Sequence, residues 1–177
     1  MKVVARADAH FADFVQARTD ALLTTAYLLS RDRAAAEELV QDTLVALYPQ
    51  WHRVVDADSS LAYVRRSLVN RFLNLQRRKS SGEVVLAVPP DRPGPGDFSQ
   101  SVVDRDLLRR ALAELPDRQR VALVLRYFHD YPDQQIADAM DCRIGTVRSL
   151  ISRALASMRG APAFTGIGDR GQQEVGK

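Results

Sequence analysis

A proline-rich stretch near the middle of the chain constrains the fold more than any other feature. Four of the eight prolines lie between Ser80 and Gly96, together with three of the nine glycines. Proline lacks a backbone N–H and fixes its own φ, so this stretch can form neither a helix nor a central strand. We therefore predict two folded domains joined by a flexible linker. The predicted bounds are residues 8–80 for the first domain, 81–103 for the linker, 104–160 for the second domain and 161–177 for a disordered tail.

Apolar residues recur at helical spacing on both sides of this stretch. Three such apolar faces precede it, in residues 11–29, 39–47 and 61–75, and Ser59 or Ser60 is placed to cap the third helix. After the linker, Pro116 separates two further helices. The second of these has one apolar face formed by Val121, Val124, Leu125 and Phe128. Alternating β-branched residues are scarce, so the predicted fold class is all-α, with two helical domains.

Two short helices separated by about three residues follow in the second domain. The first contains Ile136 and Met140, and the second begins near Ile144 and repeats apolar residues at helical spacing. This spacing predicts a helix-turn-helix, whose second helix can enter the major groove of DNA. Gly145 near the start of that helix either allows close approach of a duplex to the backbone or makes a tight entry turn, and the residues alone do not decide between these readings.

Basic residues are sorted by segment. Residues 61–82 contain five arginines and one lysine without an acid, and residues 143–160 contain four arginines without an acid. By contrast, residues 31–60 carry six acids against three arginines. Each phosphate that a basic side chain neutralises releases counterions and strengthens binding to nucleic acid. Two separate helices are therefore predicted to face phosphates, although the formal charge of the whole chain is only +3.

The polar side of the second helix of the helix-turn-helix is rich in arginine, serine and threonine, which is typical of a surface that contacts DNA bases. Arginine can form two hydrogen bonds to guanine, and serine or threonine can contact bases or phosphate. Arg143 adds a positive charge just before this helix. The residues predicted to face DNA on the helix itself are Thr146, Arg148, Ser149, Ser152 and Arg153.

Signals for catalysis, for metal binding and for membrane insertion are missing from the sequence. It contains no glycine-rich phosphate loop, no nucleophile elbow and no zinc-protease motif, so we expect a protein that is not an enzyme and has no cofactor or metal. His10, His52 and His129 are expected to be ordinary surface or packing residues. The single cysteine, Cys142, cannot form an intramolecular disulfide. No apolar run approaches the roughly 20 residues that span a bilayer, and no secretory signal is visible, so we expect a cytoplasmic protein.

Four segments resemble, in the same order, those of group-four, extracytoplasmic-function RNA polymerase sigma factors of the sigma-70 family. Ala36–Tyr48 resembles the helix of sigma region two that binds core polymerase. Tyr63–Asn70 resembles the helix of that region that binds the minus-ten promoter element. Leu112–Arg120 and Gly145–Ser149 resemble sigma region four, whose helix-turn-helix binds the minus-thirty-five element.

The resemblance implies a sigma factor that directs promoter-specific initiation, with core RNA polymerase and promoter DNA as partners and an anti-sigma factor as a further candidate. Asn70 would help to capture a base flipped from the non-template strand, in a pocket rimmed by Val54–Ser60. The residues implied to contact the polymerase clamp are Glu38, Gln41 and Asp42. The residues implied to contact the minus-ten element are Tyr63, Arg66, Asn70, Asn74, Arg77, Arg78 and Lys79.

Two residues depart from the family pattern in the helix-turn-helix. Pro132 stands where a capping serine is common, and Asp141 stands where the turn often has glycine. Proline suits a helix start, and aspartate can adopt a left-handed turn, so we expect the motif to form. The alternative function is a helix-turn-helix regulator whose first domain only dimerises or senses a signal. A helical adaptor without DNA contact is a third reading, against which the sorted arginines argue.

Overall fold

The computed structural model describes residues 2–55, 57, 59–82 and 109–159, with the side chains of residues 2–6 left out. The described residues form helices and contain no strand, which confirms the all-α prediction. Residues 83–103 of the predicted linker, the predicted tail and the first residues of the second domain lie outside the described residues. The helices are α1 (Lys2–Ser30), α2 (Arg33–Leu47), α3 (Trp51–Val55), α4 (Ser60–Ser80), α5 (described over 109–113), α6 (Asp117–Leu123), α7 (Asp133–Ala139) and α8 (Ile144–Arg159).

A two-residue turn joins α1 to α2 and makes them neighbours. Arg31 adopts a left-handed conformation with φ 66°, and its N–H donates to the Tyr27 carbonyl at 2.8 Å. Asp32 then caps α2, because its side chain accepts a hydrogen bond from the Ala35 N–H at 2.7 Å. The predicted apolar face of α2 is buried against α1 and α4, including Leu39 and Leu44.

Trp51 anchors the centre of the first domain. Its side chain is 1% exposed and meets the rings of Phe11 and Phe14 edge to face, with centroids 4.9 and 5.0 Å away. The indole N–H donates to His10 Nδ1 at 3.1 Å, so the one polar atom of this ring is paired. Trp51 therefore fixes α3 against α1. Because α3 also packs against α4, this contact helps to position the start of α4.

Helix α4 begins where the sequence predicts. Of the two candidate caps, Ser59 is the one that accepts from the Ala62 N–H, at 3.3 Å. Val64, Leu68 and Phe72 are buried as predicted, whereas Leu75, at the end of the same predicted face, is 38% exposed. Val69 is also fully buried, because a second side of α4 packs against α6 and α7 of the second domain.

The second domain contains the predicted helix-turn-helix, formed by α7 and α8. Asp141 in the turn adopts the expected left-handed conformation, with φ 48°. Pro132 occupies the cap position of α7, directly before Asp133. Val147 on α8 is fully buried, so α8 packs on the domain through its apolar stripe and keeps its polar side outward.

The prediction for Phe128 is wrong. Val121, Val124 and Leu125 are buried as expected, but Phe128 is 50% exposed. After α6 the chain continues as a π-helical turn, Val124–Phe128, whose wider spacing rotates Phe128 away from the α-helical face. A sequence pattern read with a constant period of 3.6 residues could not locate this change.

Candidate nucleic-acid interfaces

One side of α4 presents the residues predicted for the minus-ten element. Arg66, Asn70 and Asn74 follow one another at four-residue intervals, on the side opposite to the buried Leu68. Arg77 donates to the Asn74 side-chain oxygen at 3.2 Å, which orients that amide. Tyr63 and Asn70 are half-buried. The exposed members of the predicted set are Arg66, Asn74, Arg77, Arg78 and Lys79.

A cavity of about 340 Å³ lies between α1 and the start of α4. Its lining includes His10, Asp13, Arg18, the cap residue Ser59 and Ser60 at the start of α4. The family resemblance implies that Asn70 and the Val54–Ser60 loop form one pocket, yet Asn70 does not line this cavity. Asp56 and Asp58 of the predicted rim lie outside the described residues.

A polar surface on α2 brings together the residues predicted to contact polymerase. Glu38, Gln41 and Asp42 are all exposed. Arg71 of α4 donates to Asp42 at 3.1 Å, so this surface is tied to the basic helix. Val45, which the sequence analysis did not single out, is 72% exposed on the same side of α2, one turn beyond Gln41. Its position off the buried face of the helix was the signal that could have identified it.

The outer side of α8 carries the predicted base-reading residues. Ser149 is half-buried, while Arg143 in the preceding turn is exposed. Gly145 has ordinary helical geometry, and a Cβ placed there would have nothing within 4 Å. The described fold therefore has no need of glycine for a tight entry turn. The other exposed members of the set are Thr146, Arg148, Ser152 and Arg153.

Asp133 holds one of these arginines in place. Arg148 Nε donates to Asp133 Oδ2 at 2.8 Å, although the Arg148 side chain is 73% exposed. Asp133 also forms an ion pair with Arg126. The sequence gives no separate signal for this role of Asp133, because an acid in the first turn of a helix is already explained by the helix dipole.

Histidine and metal chemistry add no further site. The His129 ring lies 3.0 Å from Thr25 Oγ1 of the first domain, and burial, with a smaller effect from Arg65, lowers the pKa of His129 to about 4. Within the described parts of the chain, no group of three or more His, Cys, Asp or Glu residues could hold a metal ion. In those same parts, no helix is both long and apolar enough to cross a membrane.

Comparison with known families finds two matches along the chain. Residues 14–82 match Sigma-70 region 2, and residues 105–158 match Sigma-70, region 4. The first match includes the basic helix α4, and the second includes nearly all of the basic helix α8.

Known proteins with similar sequences cover most of the chain. The RNA polymerase sigma-E factor of Streptomyces coelicolor is 34% identical over 149 residues, which are 84% of this chain and 84% of that protein. The ECF RNA polymerase sigma factor SigE of Mycolicibacterium smegmatis is 27% identical over 154 residues, 83% of this chain and 59% of that protein. Among solved structures, the sigma factor RpoE of Bartonella quintana, in complex with the anti-sigma factor NepR, has a TM-score of 0.67 and 25% identity, covering 85% of this chain and 94% of that chain.

Proposed function

Because this chain belongs to the sigma-70 family as an extracytoplasmic-function RNA polymerase sigma factor, we propose that α4 reads the minus-ten element, α8 reads the minus-thirty-five element and α2 docks on core polymerase. The observation that carries this proposal is the pair of exposed polar and basic surfaces, one in each domain. An adaptor would need neither surface. A helix-turn-helix regulator would need only the one on α8.

At the minus-thirty-five element, α8 lies in the major groove. Arg148 and Arg153 each offer a guanidinium that can bond the O6 and N7 atoms of a guanine. The hydroxyls of Thr146 and Ser152 are short enough to contact bases or phosphates from the same side of the helix. Arg143 lies in the turn before α8 and adds a phosphate contact.

At the minus-ten element, α4 stabilises a separated strand. Flipping a base out of the stack costs a few kcal/mol, so the protein must compensate by bonding the edge of the base. Asn70, half-buried on the outward side of α4, provides an amide that can both donate and accept. The strand backbone is followed, and its phosphates are neutralised, by Arg66, Arg77, Arg78 and Lys79.

The α2 surface joins the chain to the enzyme that carries out catalysis. Glu38, Gln41 and Asp42 supply charge and hydrogen bonds, and Val45 adds an apolar contact beside them, one turn further along the helix. In this arrangement polymerase performs the chemistry and the sigma factor has no catalytic residue of its own. It acts in the cytoplasm, where the polymerase and the promoter are.

An anti-sigma factor is a further partner in this proposal. The solved RpoE structure holds one, and the similarity to that protein extends over 85% of this chain. A protein that covers α2 or separates the two basic helices from DNA would keep this chain inactive.

Run-off transcription with purified core polymerase and a promoter library tests the proposed function. We expect transcripts that start at specific positions only when the chain is present. A variant that carries both Arg148→Ala and Arg153→Ala should lose the preference for particular minus-thirty-five sequences. Specific DNA binding by the chain without any polymerase-dependent transcript would instead support the regulator.

A further inference from the structure

Two serine hydroxyls cap the C-terminal end of α4. Ser80 is the last residue of the helix, and its hydroxyl donates to the Arg77 carbonyl at 2.8 Å. The hydroxyl of Ser81, the next residue, donates to the Arg78 carbonyl at 2.9 Å. The last carbonyls of a helix lack N–H partners within the helix and carry partial negative charge. Both hydroxyls therefore strengthen the last turn of α4, and each does so through the proton it donates.

The three residues directly before this serine pair are basic. Arg77, Arg78 and Lys79 are all exposed. Residues 61–82 contain no acid, so no carboxylate of α4 itself balances their charge. The Ser80 hydroxyl is thus an exposed nucleophile that follows three consecutive cations.

The other exposed serines of the described residues have different surroundings. Ser59 follows two acids in the sequence, Asp56 and Asp58. Ser152 and Ser157 lie inside α8, where the backbone on both sides is helical. Among the exposed serines that the structure describes, the pair at the end of α4 alone follows consecutive basic residues.

We propose that Ser80 is a phosphorylation site for a protein kinase with an acidic substrate groove, and that its phosphate releases the minus-ten strand from α4. The proposal rests on the proposed function, because the basic residues concerned are those assigned to that strand. Kinases select substrates in part by their pattern of charges, and three cations directly before the acceptor complement a groove lined by carboxylates.

The phosphoryl donor is ATP. Ser80 Oγ attacks the γ-phosphorus, the bond from this phosphorus to the oxygen that bridges it to the β-phosphorus breaks, and ADP leaves. The hydroxyl proton passes to the carboxylate base of the kinase. Access to the hydroxyl requires little unfolding, because α4 ends at Ser80 and Gly82 has already left the helical conformation, with φ 77°.

A phosphate at this position acts on the strand-binding residues in two ways. It adds a charge of about −1.5 to −2 beside Arg78 and Lys79, with which it competes against the phosphates of the strand. It also places that charge at the negative end of the helix and removes the proton that Ser80 donates to Arg77, so it loosens the last turn. The polymerase surface on α2 keeps its charge and its geometry.

Phosphorylation of the full, folded chain tests the site itself. The probe is a purified serine kinase that selects arginine two and three residues before its acceptor, supplied with labelled ATP. We expect one phosphate per chain, located at Ser80 by mass spectrometry, and labelling at least about tenfold slower for Arg78→Gln. A folded chain that gains no phosphate at Ser80 overturns the proposal.

Strand binding by the assembled holoenzyme tests the consequence. The ligand is a fluorescent single-stranded oligonucleotide with the non-template minus-ten sequence of a promoter selected in the run-off experiment. The phosphorylated chain should bind it at least about tenfold more weakly. The slope of log affinity against log salt should shrink by roughly 2, since about 0.7 is lost for each of three phosphate contacts. Affinity for core polymerase, measured on the same protein, should stay unchanged.

Ser80→Ala is the matched control, because it removes the same hydroxyl without adding charge. Its strand affinity should stay close to that of the unmodified chain, and treatment with the kinase should not alter it. The proposal is overturned if the phosphorylated holoenzyme binds the strand like the unmodified one, or if Ser80→Ala alone causes an equal loss. If the unmodified holoenzyme does not bind the strand, the proposed function of α4 fails, and this regulation fails with it.

Discussion

At the scale of single residues, Asp133 shows how an acid can serve a surface that binds DNA. A carboxylate near phosphates weakens binding, yet Asp133 pairs with both Arg126 and Arg148 and fixes the direction in which Arg148 points. An unpaired Arg148 would retain its charge but would sample many rotamers, so it would bind phosphates more readily than one particular base edge.

Asp133→Asn should therefore separate affinity from specificity. Loss of the negative charge should strengthen binding to any duplex at low salt, while discrimination at the base contacted by Arg148 should fall by up to about 1–3 kcal/mol. Titration of matched and mismatched minus-thirty-five duplexes over a range of salt concentrations measures both effects. Asp138→Asn is the control, since Asp138 lies on the same helix and accepts a hydrogen bond only from Gln134. Equal changes in discrimination for the two variants would rule out a positioning role for Asp133.

Gly145 offers a second test at this scale, because the fold does not need it. Its backbone is helical and the space around its Cα is open. Gly145→Ala should leave the second domain as stable as before or stabilise it by up to about 0.5–1 kcal/mol. If a duplex approaches this backbone closely, the added methyl group should weaken minus-thirty-five binding at least several-fold. Thermal unfolding and duplex titration on the same variant check the two parts, and unchanged DNA binding would leave Gly145 without a functional role.

At the scale of helices, the apolar pattern predicted the elements well because burial of one side is what stabilises them. The faces of α2, α4 and α8 lie where the 3.6-residue period places them, except for the exposed Leu75 at the end of the α4 face, and Ser59 caps the helix it was expected to cap. Prediction failed at Phe128, where the helix changes its hydrogen-bonding period. It also missed Val45, because the apolar pattern was used to find buried faces and Val45 lies off the buried face of α2.

Helix α2 supports a prediction about polymerase binding. Asp42 is half-exposed and pairs with Arg71, so it faces both the basic helix and solvent. Asp42→Lys should weaken association with core polymerase at least tenfold, because it reverses the charge of a side chain in the proposed interface. The matched control is Arg71→Gln, which breaks the same ion pair but keeps the carboxylate. Comparable losses for both variants would show that the ion pair, and not contact with polymerase, is responsible.

At the scale of the whole molecule, the packing of the two domains against each other could not be predicted from the sequence. The two domains contact each other through arginines that donate to backbone carbonyls, Arg120 to Leu29 and Arg31 to Ala113. Every residue carries a carbonyl, so no pattern of side chains identifies the acceptors. Arg120 looked like one of many arginines, and His129 looked like an ordinary packing residue. Only the three-dimensional structure shows that both lie between the domains.

His129 makes the folded protein less stable as pH falls, and the direction follows from its lowered pKa. Burial and, to a smaller extent, Arg65 hold the pKa of His129 at about 4 in the folded protein, whereas an exposed histidine titrates near 6.5. Well above pH 6.5 the ring is neutral in the folded and in the unfolded chain, so it has no effect on the free energy of unfolding. As pH falls from 6.5 towards 4, the unfolded chain binds a proton that the folded protein excludes, so the free energy of unfolding decreases. Urea denaturation at a series of pH values measures this decrease. His129→Gln should flatten the response, while His52→Gln, at an exposed histidine of the first domain, should retain it. A decrease of the same size in His129→Gln would assign the pH response to another group.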